Sequence, residues 1–144
     1  MNKIRLLLLT ALFLVSTLTF GQAEKRERLV VGFVCGIFAE TTQLVDKMTD
    51  LVKEKKYSEI SHLLNSKNSG EIFLAILILE RLAEKKLYSL KEDEIKLIDY
   101  WKSSSVPVYN CLGCFPDTNL MNELFENENS LEEITWLNKI LPIK

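Results

Sequence analysis

Between Ile72 and Leu79 eight consecutive side chains are apolar, and the pattern resumes at Leu82 and Ala83. A helix built on this run has no wet side along its first two turns, so other parts of the chain must enclose it. A buried strand is the competing assignment for eight apolar residues, but only helical length accommodates the extension to Ala83. Asn68 followed by Glu71 makes a capping-box start, and the Ala, Leu, Glu, Arg and Lys that follow are good helix formers. The stretch therefore predicts a buried central helix over 70–86, with Ile72, Phe73, Leu74, Ile76, Leu77, Leu79 and Leu82 in the core.

The first residues read differently. Lys3 and Arg5 precede an apolar run from Leu6 to Phe20, and Gly21, Gln22 and Ala23 follow. A positive start, a short apolar middle and small residues at the end are the pattern of a secretory signal, and the run is short for a membrane span. The expectation is a signal peptide over 1–21, cleaved after Gly21 or Ala23, and a single domain over 24–144 with no stable membrane span. Export to the periplasm or the extracellular space follows from it.

Removal of Lys3 and Arg5 leaves 16 of the 18 basic residues against 20 acids, a net charge of −4. Nucleic-acid binding calls for a basic face, and this balance points away from it. From Ser103 to Asn138 there is no Lys or Arg, while Asp117, Glu123, Glu126, Glu128, Glu132 and Glu133 fall in that window. The C-terminal third is an acidic, solvated surface.

Apolar residues at steps of three and four, from Val30 through Phe33, Val34, Ile37 and Phe38 to Val52, suggest one amphipathic helix or two joined near Thr41. Gly32 and Gly36, four apart on it, would allow close helix packing, with Cys35 as a small buried hydrophobe. Tyr57 to Ser66 reads as a short helix, and Ser89 with Glu92 as a capping box opening a helix whose core residues are Ile95, Ile98 and Trp101. Pro116 to Thr118 would begin another short helix, and Ser130 with Glu133 the last. No strand alternation of useful length stands out, so the expected fold class is all-α.

Leu51 to Ser58, LVKEKKYS, aligns with Leu82 to Ser89, LAEKKLYS, and the flanking helices align with them. Helix, turn, helix units of 31 to 35 residues belong to stacked helical hairpins. Over Thr41 to Ser104 the chain resembles an α-solenoid of the HEAT or armadillo-like kind. It is also similar to small exported bacterial proteins that carry a helical hairpin followed by a Cys-x-Gly-Cys segment. The first resemblance implies layered hairpins around the central helix, and neither implies an activity.

Cys111 and Cys114 form the only spacing with chemical content. In an oxidising compartment the flexible Gly113 would let them close a local disulfide. A redox-active pair is the sharper alternative, but it wants a helix start behind a strand to lower the thiol pKa, and the surroundings read as helical. Zinc wants four ligands, and Cys35 and the single His62 lie far from the pair. No metal site and no cofactor is expected. His62 has no nucleophile motif beside it, and the acids at Glu92 to Glu94 and Glu132 to Glu133 sit at helix starts, where the dipole favours them. The expectation is an exported, non-enzymatic helical module that binds another protein as an inhibitor, immunity protein or adaptor in the cell envelope; a thiol-disulfide protein using Cys111 and Cys114 is the alternative.

Overall fold

The computed structural model describes residues 30–113, 115–126 and 131–142. The expected signal peptide over 1–21, the Ser130 cap and Cys114 lie outside the described residues. Strand β1 (Val31–Cys35) is followed by helices α1 (Gln43–Lys53) and α2 (Tyr57–His62), the latter running into a 3-10 turn at Leu63–Asn65. The long helix α3 (Ser69–Glu84) and helix α4 (Glu92–Lys102) come next. Strands β2 (Pro107–Gly113) and β3 (Phe115–Leu120) then precede helices α5 (Met121–Glu126) and α6 (Leu131–Ile140).

The three strands form one sheet in the order β1, β2, β3. β1 runs parallel to β2, pairing Val31 with Asn110 and Cys35 with Gly113 across a bulge. β2 and β3 are a hairpin, with Pro107 opposite Leu120 and Leu112 opposite Phe115. The expected all-α stack of hairpins is therefore wrong: the fold is mixed α/β, with a sheet closing one side of the helices.

The segment expected to begin an amphipathic helix is the strand β1. Its Val, Phe and Val are β-formers, and two glycines four apart each disfavour a helix by roughly 1 kcal/mol. Gly32 serves strand packing, since a Cβ there would stand 2.8 Å from Thr42 Cγ2 and 3.4 Å from Cys111 Cβ. Pro107 is tolerated because it opens its strand. The helix expected from Pro116 starts later, at Met121, with Glu123 Oε2 accepting the Leu120 N–H at 3.2 Å.

The central helix, expected over 70–86, spans Ser69–Glu84. Ile72, Phe73, Leu74, Ile76, Leu77, Leu79 and Leu82 are all buried. Asn68 Oδ1 accepts the Glu71 N–H at 3.1 Å, but Glu71 does not complete the box. Its carboxylate instead takes Lys47 Nζ at 2.6 Å and the Ser66 hydroxyl. Helix α3 is enclosed by β2, α1, α2 and the 3-10 turn. Gly70 lets it approach closely, a Cβ there lying 3.0 Å from both Leu44 Cδ2 and Val31 Cγ2.

Helix α4 is rotated relative to expectation. Its cap is Lys91 with Glu94, two residues beyond Ser89 and Glu92, and the Lys91 N–H donates to Glu94 Oε2 at 2.8 Å. Ile98 is buried and Trp101 half-buried, donating from Nε1 to the Leu64 carbonyl at 2.9 Å. Ile95, expected in the core, is exposed, and the buried position of that turn belongs to Glu94. Trp136 of α6 completes the core against Phe33, ring centroids 5.1 Å apart, and donates to Thr49 Oγ1 at 2.9 Å. Among the described residues no helix is long and apolar enough to cross a membrane.

The internal similarity corresponds to a shared local geometry, although not to a solenoid. Lys55 and Lys86 both take left-handed backbone conformations, φ 57° and 56°. In each case the next residue's N–H reaches back to the last helical turn, Lys56 to the Leu51 carbonyl and Leu87 to the Leu82 carbonyl, both at 2.9 Å. Together with the bonds from Lys55 to Val52 and from Lys86 to Ala83, these are two Schellman caps. The tyrosines that follow, Tyr57 and Tyr88, meet edge to face with centroids 6.4 Å apart.

Candidate functional site

Cys111 is bonded to Cys35, not to Cys114. The bond joins the neighbouring strands β1 and β2, with Cα atoms 5.6 Å apart and a sequence separation of 76. The expected local staple between Cys111 and Cys114 is thus overturned, and so is the reading of Cys35 as a free buried thiol. Helical assignment of β1 hid the pairing: only with both segments extended and parallel does Cys35 come beside Cys111.

Directly after Cys35 the chain turns back on itself. Cys35 and Glu40 exchange backbone hydrogen bonds at 2.7 and 3.1 Å, enclosing Gly36, Ile37, Phe38 and Ala39. Gly36 has φ 73°, which glycine adopts freely, and Ala39 has φ 54°, which costs an alanine roughly 1 kcal/mol. The apex of this turn is apolar. Ile37 is 86% exposed and Phe38 83% exposed, where turns ordinarily carry Asn, Asp, Ser or Gly.

The same end of the sheet carries a third such side chain. Cys35 registers with Gly113 and Leu112 with Phe115, so the 36–39 turn and the β2–β3 hairpin project from one edge of the molecule. Phe115 is 78% exposed. These three stand exposed together at one end of the sheet, an apolar patch of the kind that marks interaction sites, while Leu87, Ile95 and Tyr100 are exposed elsewhere, along the helices and their turns. Its polar flanks are acidic: Glu40 closes the turn and Asp117 lies exposed on β3.

A second cluster lies between α2 and α4. Glu94, almost fully buried, accepts from the Ser61 hydroxyl, from Tyr88 OH at 2.7 Å and from the Lys91 N–H at 2.8 Å. Burial pushes its pKa up, but these hydrogen bonds and the Lys91 charge outweigh burial and hold the carboxyl below its ordinary value. Burial and the bond to Glu94 together raise the Tyr88 phenol. Ser61 is committed to Glu94, and His62 beside it has no hydrogen-bond partner among the described residues. The geometry is a structural clasp holding α2 to the start of α4, and it contains no Ser-His pair.

Among the described residues no three His, Cys, Asp or Glu side chains are grouped to hold a metal ion. Of the residues that sequence reasoning singled out, Cys111 falls at the apolar end of the sheet, while His62 and Glu94 fall in the clasp. Ile37, Phe38 and Phe115 were missed as site residues because the first two were counted into a helix face. The signal that would have found them is the Gly36 that precedes them, a turn residue after a β-forming run. No family model, curated protein or solved structure matches the chain.

Proposed function

We propose that this chain is an exported, non-enzymatic binding module that recognises another protein through the apolar end of its sheet, with Ile37, Phe38 and Phe115 as anchors. The observation that carries the reading is the near-complete exposure of these three side chains on two turns held together by the Cys35–Cys111 bond. Aromatic and large aliphatic anchors on a rigid scaffold lose little entropy on binding, and such residues dominate interface energies.

The disulfide fits an oxidising compartment, as does the signal-like start of the sequence. Glu40 and Asp117 beside the anchors favour a protein partner with an apolar pocket rimmed by Lys or Arg over an anionic lipid surface, which acids repel. Inhibitor, immunity and adaptor roles in the cell envelope share this chemistry. The thiol-disulfide alternative has less support, because Cys111 is engaged with Cys35 across the sheet.

A photo-crosslinking residue at position 38, compared with one at Lys96 on α4, tests the assignment in the exporting cell. One protein adduct specific to position 38 is expected. With that partner purified, Ile37→Asp and Phe38→Asp should each weaken binding by about 30-fold or more, while thermal stability stays the same. Unchanged affinity overturns the proposal, and so does uptake onto anionic vesicles that depends on Ile37 and Phe38.

A further inference from the structure

An edge strand offers its outward N–H and C=O groups to any other extended chain, and the three-stranded sheet has an edge at β1 and another at β3. The chain itself closes the β1 edge. Cys35 and Glu40 exchange backbone bonds there, and the Thr42 N–H donates to the Gly32 carbonyl at 2.9 Å. The β3 edge carries no further strand among the described residues, and Phe115, Pro116, Asp117 and Thr118 on it are exposed.

Register decides which amides of β3 face outward. In an antiparallel pair alternate residues turn both backbone groups towards the partner strand, and the residues between them turn theirs away. The Met121 N–H donates to the Val106 carbonyl at 2.9 Å, one step past the Pro107–Leu120 pair, so Met121 faces β2 and Leu120 faces out. Thr118 and Pro116 therefore face out as well. None of the three has an N–H to offer. Proline lacks one. The Thr118 N–H donates to Asp117 Oδ1 at 2.7 Å, with Asn119 Nδ2 3.5 Å from the other carboxylate oxygen, and the Leu120 N–H donates to Glu123 Oε2 at 3.2 Å. Glu123 also caps α5 by that bond, but Asp117 lies within a strand, where aspartate is disfavoured, and closing the edge accounts for it.

We infer that β3 is a latent self-pairing edge held shut by Asp117 and Glu123, and that its occupant, once those acceptors are removed, is β3 of a second copy of this chain. The segment is self-complementary about Thr118. In an antiparallel pair of copies Thr118 exchanges both backbone bonds with its own counterpart, and each Leu120 N–H meets the Pro116 carbonyl of the other copy. The two sheets then run on as one. Because the carboxylates act by satisfying donors, neutral acceptors in their place keep the edge shut. This surface is distinct from the exposed 36–39 turn, and the inference does not depend on the protein-recognition reading.

Sedimentation equilibrium of the folded, disulfide-bonded protein and its variants tests this. The Asp117→Ala, Glu123→Ala variant should move reversibly towards twice the wild-type mass as concentration rises. Asp117→Ala alone, which leaves the α5 cap intact, should do so more weakly. Asp117→Asn with Glu123→Gln, uncharged but still accepting, should keep the wild-type mass. Thr118→Pro added to the alanine pair removes the central outward donor without touching a bond to β2, and should restore the wild-type mass. The inference is overturned if the alanine variants keep the wild-type mass, if the Asn and Gln pair associates as they do, or if association survives Thr118→Pro.

Discussion

Glu94 and Glu71 are charged side chains in positions that an aliphatic residue would otherwise fill, and each is held by several donors. At Glu71 burial raises the pKa, and the bonds from Lys47 and Ser66 with the Lys47 charge more than reverse it, so both carboxyls sit below the ordinary glutamate value. A carboxylate whose pKa is lower folded than unfolded contributes stability that is complete above the unfolded pKa and lost as pH falls through the folded one. Unfolding free energy should therefore be flat from neutral pH to about pH 5 and decline below about pH 4.5. Glu94→Gln should cost about 2 kcal/mol at pH 7, because it trades charge-assisted hydrogen bonds for weaker ones, and should flatten part of that acid decline. Denaturant titrations of both proteins at pH 3 to 7 measure the difference; parallel curves would refute the assignment.

At the level of elements, the two Schellman caps place lysine where glycine is usual. A left-handed conformation costs a residue with a Cβ roughly 1 kcal/mol, so Lys55→Gly and Lys86→Gly should each raise stability by about 0.5–1 kcal/mol, read as an increase in the denaturation midpoint. The edge-to-face tyrosines that follow put the two turns close together, and the double variant should depart from additivity. These turns also show what sequence could disclose. The repeated lysine-tyrosine segment and the all-apolar stretch of α3 are local patterns, and local geometry answers to them. Strand β1 is different: Val30, Phe33, Val34 and Ile37 stand at helical spacing by coincidence, and the strand state of Phe33 and Val34 is decided by pairing with residues near Asn110. Ile95 was misplaced for a related reason, since hydropathy cannot show that Ser61, Tyr88 and the Lys91 N–H would hold Glu94 in its stead.

For the whole molecule the decisive bond is Cys35–Cys111, which spans most of the helical layer. Closing a loop whose ends are 76 positions apart removes denatured-state entropy equivalent to about 4 kcal/mol in the chain model, far more than a Cys111–Cys114 staple would. The Cys35→Ser, Cys111→Ser double variant should lose about 2–4 kcal/mol, lowering Tm by on the order of 10 °C. Peptide mapping under non-reducing conditions should recover Cys35 linked to Cys111; recovery of a Cys111–Cys114 link would overturn both the fold around β1 and the anchored turn beside it. The candidate site was legible only in part, because its anchors become neighbours through this long-range pairing and not through any motif.

Helices α1 to α4 and the turns between them all lie inside the covalent ring that this bond closes. A protease that cuts one exposed turn there, at Lys55 or near Lys86, leaves two chains joined through the disulfide and releases no fragment. The nicked molecule should run as a single species until reductant is added, keeping its hairpin and its apolar apex on one body.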